Sequence, residues 1–249
     1  MDELPIDFTD KLCARIRSEG DDMLVVGEVW EDASVKIAYS EWRPYFMGEQ
    51  LDSVMNYPFK EAILSYVLNG DKNAFIADVT AVLEHYPKQS LDVLMNLVDS
   101  HDTARAITVL SGVKPPYSKK DRADFTLSCE QYDLAKRRLK VASALQYTLP
   151  GVPCVFYGDE AGKQGFEDPL NRGTYPWGRE DTDLIEHYRA LGKIREKYKD
   201  LLQGETHFVK DSDKLVFERV CADGVLRVES QGSWLSISVN GKVVMSINK

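Results

Sequence analysis

The feature that most constrains the fold is the alternation of helical segments with four short, largely apolar segments that end in polar residues. Apolar residues recur at helical spacing from Leu4 to Gly20, before the segment MLVVGEVW. A loop-rich, aromatic stretch leads from there to LDSVMNYPF, and further helical stretches separate LDSVMNYPF, LDVLMNLVDSHD and VPCVFYGDE. Apolar strands alternating with helices are typical of a parallel sheet with both faces covered. The sequence therefore predicts an α/β fold, with a break in the long helical region at Asn69-Gly70.

The last part of the chain has a different pattern. From Glu205 onward, short alternating segments are separated by Asp-Gly, Gln-Gly and Asn-Gly pairs, which favour tight hairpin turns. We therefore expect residues 1–204 to form the parallel α/β part and residues 205–249 to form a small antiparallel β domain.

Composition and charge argue against several classes of protein. Lysine and arginine total 31 against 40 acidic residues, and a net charge of -9 disfavours binding to a nucleic acid backbone. No apolar run approaches the length of a membrane span, and the acidic start MDELPIDFTD is unlike a signal peptide. The four cysteines are widely spaced, which favours reduced thiols. We therefore expect a soluble, cytoplasmic protein.

Candidate site residues follow the four strands, because the carboxyl ends of parallel strands share one open face. These positions predict an acidic bowl formed by Glu28, Asn56, Asp99, His101, Asp102, Tyr157, Asp159 and Glu160. Facing carboxylates suit glycoside hydrolysis, in which one protonates the leaving oxygen and another attacks or stabilises the sugar cation. On local grounds, however, Glu28 also fits a paired or capping carboxylate, and Ser100 or Asp102 fits a helix cap.

Two further interpretations remain open at this level. Exposed aromatic rings can stack on sugar rings, although core packing explains most such residues equally well; the candidates are Trp30, Trp42, Tyr45, Tyr57 and Trp177. His101 lies between Asp99 and Asp102, but three ligands in one tight loop without a second histidine are a weak metal motif. We therefore favour sugar contact over metal binding and expect no metal in this chain.

The segments VVGEVWEDA and LMNLVDSHDTAR together resemble two signature segments of the alpha-amylase family of glycoside hydrolases. The wording of GEVWEDA and DSVMNYPF is most similar to the neopullulanase and cyclomaltodextrinase group. PGVPCVFYGDEAG resembles the last barrel strand of the family, and DPLNRGTYPW resembles the sugar-contacting loop after it. The resemblance implies the second half of a (β/α)8 TIM barrel, about four strands, followed by the small β domain.

The resemblance also implies roles in a retaining α-glucan hydrolase that acts on maltooligosaccharides, cyclodextrins or pullulan. Glu28 would be the general acid/base, and Asp102 would stabilise the transition state beside a sugar-binding His101. Trp30 would line the leaving-group side, and Asp168 and Arg172 would contact glucose units on the other side. Asn56, at the end of the second strand, is predicted as a further substrate contact.

One part of the family pattern is not found in this sequence. The nucleophilic aspartate of the family lies just before the opening helix, and Asp2 and Glu3 resemble only the acidic residues after it. The nucleophile is thus expected upstream of Met1, together with an inserted domain where calcium binds in many relatives. We expect the chain alone to be inactive; the alternative is a non-catalytic amylase-like fragment, or a glucan-binding or structural protein. Two open half-barrel edges also predict self-association.

Overall fold

A parallel sheet of four strands and an antiparallel sheet of five strands organise the chain in the computed structural model, which describes residues 1–20 and 22–248. The helices are α1 (Ile6–Arg17), α2 (Tyr57–Asn69), α3 (Lys72–His85), α4 (Lys88–Asp92), α5 (Ala106–Leu110), α6 (Lys119–Ala123), α7 (Cys129–Thr148), α8 (Thr182–Lys197) and α9 (Lys199–Leu202). The strands are β1 (Val26–Gly27), β2 (Ile37–Ala38), β3 (Glu41–Trp42), β4 (Ser53–Asn56), β5 (Met95–Asn96), β6 (Val152–Pro153), β7 (Glu205–Phe208), β8 (Leu215–Cys221), β9 (Gly224–Gln231), β10 (Trp234–Val239) and β11 (Lys242–Ile247).

The parallel sheet has the order β1-β4-β5-β6, which confirms the predicted α/β fold. Each strand is parallel to its neighbour, with Val26 opposite Ser53, Met55 opposite Met95, and Met95 opposite Val152. Helices join β4 to β5 and β5 to β6, whereas the connection from β1 to β4 contains the strands β2 and β3. Because all four strands are parallel, their carboxyl ends lie at one edge. This edge carries the polar residues that follow the strands.

The strands are shorter than the sequence predicted, and part of the second strand segment is helical. Helix α2 already begins at Tyr57, because the Asn56 side chain accepts a hydrogen bond from the Phe59 amide at 3.2 Å and Pro58 stands in the first turn. The long helical region breaks at Asn69-Gly70, as predicted, where Gly70 has a left-handed φ of 77° that favours glycine, and it continues as α3. The helix caps thus determine where β4 ends and α2 begins, which the hydrophobic pattern alone did not indicate.

The core lies between the parallel sheet, the helices that cover it and the antiparallel sheet. Helix α7 begins with a capping box between Ser128 and Gln131, and its buried residues include Leu139 and Leu145, neither of which is exposed. The hydroxyl of Tyr66 in α2 donates to the Ser230 carbonyl oxygen in β9 at 2.9 Å. The two sheets are therefore connected by packed helices and by a buried hydrogen bond.

The C-terminal sheet has the order β11-β10-β9-β8-β7, with every neighbouring pair antiparallel. Its first strand begins at Glu205, where the hydropathy pattern of the sequence changes. Helices α7 and α9 pack against it. The antiparallel arrangement was predicted correctly, whereas its standing as a separate domain of residues 205–249 stays a prediction.

Both outer strands of the parallel sheet have a side without a neighbouring strand among residues 1–20 and 22–248. Val26 in β1 is 37% exposed, and Val152 in β6 is 47% exposed. In this part of the chain, the helices are all too short or too polar to cross a membrane. The exposed valines mark the two edges of the half barrel.

Candidate active site

Glu28, His101 and Asp102 converge at the carboxyl ends of β1 and β5. One side-chain oxygen or nitrogen of each lies within 4.8 Å of those of the other two. Glu28 directly follows β1, whereas the other two lie in the loop after β5, so the strand register brings them together. The chain thus forms a partly exposed cluster of two carboxylates and one imidazole.

The Glu28 carboxylate has a buried tyrosine as its hydrogen-bond donor. The hydroxyl of Tyr57 donates to Glu28 Oε1 at 3.1 Å and also lies 3.1 Å from Ser100 Oγ. Burial raises the pKa of Tyr57 to about 12, so the hydroxyl keeps its proton at neutral pH. The ring of Trp30 stacks on that of Tyr57, with centroids 4.2 Å apart. Trp30 and Tyr57 therefore fix one wall beside Glu28.

Asp102 interacts with positively charged or protonatable groups through both of its carboxylate oxygens. Arg172 Nη2 lies 2.9 Å from Oδ1, and His101 Nε2 lies 3.4 Å from Oδ2. The Asp102 amide donates to Ser100 Oγ at 3.2 Å. The carboxylate is thus oriented by its neighbours while its side chain remains 39% exposed.

The loop that carries Arg172 is bound to the loop that carries His101. Asn171 Nδ2 donates to the carbonyl oxygens of His101 at 2.7 Å and Thr103 at 2.8 Å. Arg172 Nε donates to the His101 carbonyl oxygen at 2.9 Å and pairs with Asp168 at 2.7 Å. Arg172 and Asp168, both predicted as substrate contacts, therefore lie beside the Glu28 cluster.

Asn56 is placed differently from the other predicted substrate contacts. Its side chain is fully buried, its oxygen caps α2, and its Nδ2 donates to Asn96 Oδ1 at 2.8 Å. Both polar ends of the amide are therefore engaged within the fold. In this arrangement, Asn56 supports the strand ends rather than facing the open cleft.

The predicted acidic bowl is only partly open. Asp99 and Asp159 are 2% and 1% exposed, and the equally buried Arg105 lies 3.3 Å from Asp159 Oδ1. Glu160 accepts a hydrogen bond from the Gly158 amide at 2.9 Å, and Tyr157 donates to the Gly173 carbonyl oxygen at 2.9 Å. Asp99 and Asp159 were expected to face the bowl, and this expectation was wrong because both are buried. The sequence does not reveal the buried contact between Arg105 and Asp159.

The aromatic candidates fall into two groups. Trp30, Trp42 and Trp177 are 47%, 48% and 79% exposed, as stacking surfaces for sugars would need to be. Tyr45 and Tyr57 are 2% and 1% exposed, which agrees with the packing interpretation. The hydroxyl of Tyr45 donates to Asp2 Oδ1 at 2.7 Å, and this places the N-terminal segment against the loop after β1.

Three residues that could bind a metal are present in the Glu28 cluster, two carboxylates and one imidazole, but the contacts around them do not favour a metal. The set includes Glu28 in place of Asp99, which the sequence had grouped with His101 and Asp102. Asp102 is already paired with Arg172, and a cation would have to compete with that guanidinium. The arrangement fits a hydroxyl-rich ligand that both carboxylates and the imidazole can hydrogen-bond.

Sequence reasoning missed several residues that organise the cluster. Tyr57 was considered only as a stacking ring, and Arg105 and Asn171 were not considered at all. The segment SHDTAR contained a signal, because an arginine so close to buried acidic residues needs a counter-charge or carbonyl partners. The partners themselves, the carbonyl oxygens of residues 157 and 171, are far away in the sequence.

Comparison with known proteins places this site in context. The family model described as "Alpha amylase, catalytic domain" matches residues 4–212. An amylopullulanase of Thermoanaerobacter thermohydrosulfuricus is 36% identical over 193 residues, which cover 73% of this chain and 12% of the relative. A cyclomaltodextrinase of a Bacillus species is 30% identical over 234 residues, which cover 91% of this chain and 35% of the relative. The chain thus spans about a third or less of the length of these curated relatives.

Solved structures match over nearly the whole chain. A cyclomaltodextrinase structure superposes with a TM-score of 0.73 at 29% identity, covering 92% of this chain and 35% of that chain. The cyclic alpha-maltosyl-(1→6)-maltose hydrolase of Arthrobacter globiformis, in complex with that sugar, superposes with a TM-score of 0.74 at 23% identity. The second match covers 92% of this chain and 46% of that chain, and it supports the fold.

Proposed function

This chain belongs to the alpha-amylase catalytic domain family, and from that premise we propose that it carries two of the working carboxylates of a retaining α-glucan hydrolase. The observation that carries the proposal is the convergence of Glu28, His101 and Asp102 within 4.8 Å at the strand ends. Relatives named cyclomaltodextrinase, neopullulanase and amylopullulanase point to maltooligosaccharides, cyclodextrins or pullulan as the substrate class.

In the proposed mechanism, Glu28 is the general acid/base. Its carboxyl group protonates the glycosidic oxygen of the leaving sugar and afterwards takes a proton from the water that releases the product. The Tyr57 hydroxyl at 3.1 Å from Oε1 holds the carboxylate in one orientation. Trp30, stacked on Tyr57, offers its exposed face to the leaving sugar.

Asp102 is proposed to stabilise the positive charge that develops on the reacting sugar. Arg172 and His101, at 2.9 Å and 3.4 Å from its two oxygens, orient the carboxylate and offer donors to sugar hydroxyl groups. Asp168, paired with Arg172 at 2.7 Å, is proposed as a contact to a neighbouring glucose unit. Asn56 acts in this scheme as a buried support.

The attacking carboxylate is proposed to lie outside the 249 residues of this chain. The two carboxylates in the cluster are too close for the water that an inverting enzyme places between them, a gap of about 6.5 to 9.5 Å. Their separation by itself would also allow Asp102 to attack. A fluorinated glycoside that traps the covalent intermediate separates these routes, since mass spectrometry identifies the labelled residue.

The decisive experiment compares the chain alone with a reconstituted enzyme, defined as the chain co-expressed with the part of a cyclomaltodextrinase that precedes the matched segment. We expect release of reducing sugar from cyclodextrin by the reconstituted enzyme, and none by the chain alone. Glu28→Gln should abolish turnover while leaving thermal unfolding unchanged, because it removes the proton donor but little volume. Retained turnover in that variant would contradict the assignment.

A non-catalytic glucan-binding protein is the second candidate, favoured by the exposed rings of Trp30, Trp42 and Trp177, which can stack on sugar rings. The two candidates differ in what Glu28→Gln does to the reconstituted enzyme. A binding protein keeps its affinity for maltoheptaose in calorimetry and shows no turnover with or without Glu28.

The proposed location is the cytoplasm, supported by the four free cysteines, one of them buried.

A further inference from the structure

A buried pair of carboxylates lies directly beneath the proposed active site. Asp99 and Asp159, which follow β5 and β6, are 2% and 1% exposed, and their carboxyl groups lie close enough for each to influence the charge of the other. Two neighbouring carboxylates buried to this degree cannot both be ionised, so one of the two groups holds a proton. The proposed mechanism uses neither residue.

One oxygen of each of the two carboxyl groups has a hydrogen-bond donor. Asp99 Oδ2 accepts from the Ala106 amide at 2.8 Å, and Asp159 Oδ1 lies 3.3 Å from Arg105 Nη1. Asp99 Oδ1 and Asp159 Oδ2 are buried and have no donor among the described residues. One proton shared between these two oxygens satisfies both of them.

The remaining charged and titratable neighbours do not replace that proton. Lys60 faces Asp99, but its ammonium group is paired with Glu61 at 2.5 Å. Tyr188 and the Cys154 thiol also face the pair, and both are uncharged at neutral pH because burial raises the pKa of each. Among the residues that the structure describes, Arg105 is the cation that forms an ion pair with one of these carboxylates, and it balances a pair that carries a single negative charge.

The same arginine connects the pair to the active-site loops. Arg105 Nη1 donates to the Tyr157 carbonyl oxygen at 2.7 Å, and Nε donates to the Asn171 carbonyl oxygen at 2.8 Å. Its guanidinium stacks over Phe156, 4.0 Å from the ring centroid. Asn171 in turn binds the backbone of His101. The pair is therefore connected, through three hydrogen bonds, to the loop of His101 and Asp102.

We propose that Asp99 and Asp159 hold one proton between them and, through Arg105 and Asn171, act as positioning residues for the loop that carries His101 and Asp102. The shared proton is independent of the enzyme's activity, whereas its effect on the loop's catalytic use rests on the proposed function. Burial and the neighbouring Asp99 charge raise the pKa of Asp159 well above its usual range, in agreement with this arrangement.

The sign of the expected pH effect follows from proton uptake. A carboxyl whose pKa is raised on folding binds its proton more tightly in the folded chain than in the unfolded chain. Its contribution to the free energy of unfolding is therefore complete below about pH 3.9 and declines as the pH rises toward the folded pKa. Asp159→Asn keeps an acceptor for Arg105 and supplies an N–H donor to Asp99 without a titrating proton. Relative to this variant, the unchanged chain should lose stability between pH 5 and pH 8.

The test uses the chain as it stands, with urea unfolding at pH 5 and pH 8 and infrared spectroscopy at neutral pH. We expect a protonated carboxylic acid band that is lost in Asp159→Asn and a stability difference that changes with pH. Glu160→Gln, a neighbouring carboxyl that only accepts from an amide, is the matched control and should keep the band. The proposal is overturned if the band is absent from the unchanged chain or survives in Asp159→Asn.

The positioning effect is measured separately in the reconstituted enzyme. Asp159→Asn should keep turnover near that of the unchanged protein, whereas Asp159→Ala, which leaves Arg105 and Asp99 unpartnered, should lower kcat at least 10-fold. If the infrared and stability results hold but both variants turn over normally, the shared proton stands and its positioning effect is refuted. If the reconstituted enzyme that contains the unchanged chain shows no turnover, that result contradicts the proposed function and does not bear on the shared proton.

Discussion

The hydroxyl of Tyr57 lies 3.1 Å from Glu28 Oε1 and links the proposed acid/base to the start of α2. We expect Tyr57→Phe to lower kcat of the reconstituted enzyme about 10-fold, since a hydrogen bond to a charged group contributes about 1.5 to 3 kcal/mol. Tyr66→Phe is the control, because its hydroxyl bonds Ser230 far from the site. Equal losses of activity in the two variants would contradict a specific role for Tyr57.

Arg172 connects Asp102 and Asp168 on the open face of the site. Arg172→Gln should weaken maltoheptaose binding about 10-fold, equivalent to about 1.4 kcal/mol, because both carboxylates lose their orientation. The free energy of unfolding should change by no more than about 1 kcal/mol, as is usual for exposed pairs. Arg189→Gln, which breaks the exposed pair with Glu186, should change neither quantity in calorimetry and urea unfolding.

Arg219 is a buried cation whose partners are backbone carbonyl oxygens, including those of Thr148 at 3.0 Å and Gly204 at 3.0 Å. Burial lowers its pKa to about 10, so it stays charged at neutral pH. Arg219→Met should destabilise the chain by about 2 to 4 kcal/mol in urea, because the carbonyl groups lose their donors. Arg227→Met, on the same sheet and 35% exposed, should cost much less.

His187 is buried against Ser143, with Nε2 and Oγ 2.9 Å apart. Burial lowers its pKa from 6.5 to about 4, so the unfolded chain takes up a proton more readily than the folded one between these values. Stability should therefore fall by about 3 kcal/mol as the pH is lowered through this window. His187→Gln should remove that decline from urea unfolding curves, and His207→Gln, at an exposed histidine, should retain it.

The open edges of the parallel sheet give the last prediction. Val152 is 47% exposed on the outer strand β6, where another chain could add a strand. We expect the chain alone to self-associate in light scattering, and Val152→Lys to reduce that association. Val35→Lys, at a valine that is 61% exposed and lies outside the three sheets, should leave it unchanged. A monodisperse monomer in the unchanged chain would contradict the prediction.

Much of the fold was predictable because its signals are local. Periodicity predicted the helices, apolar segments predicted the parallel strands, and turn pairs such as Asn240-Gly241 predicted the antiparallel sheet. The strand ends were less predictable, since the Asn56 cap shortens one strand and begins a helix at the next residue. The hairpin of β2 and β3 was missed, because its residues are exposed or half-buried and form no apolar segment.

The sequence by itself determined which residues are chemically capable: Glu28 after one apolar strand, His101 and Asp102 after another, and the family pattern that joins them. Only the tertiary structure decided which of the neighbouring acidic residues face the cleft. Asp99 and Asp159 follow parallel strands as Glu28 does, yet Arg105 and the surrounding core bury them. The physical reason is that burial of a carboxylate depends on partners distant in sequence, which local patterns do not encode.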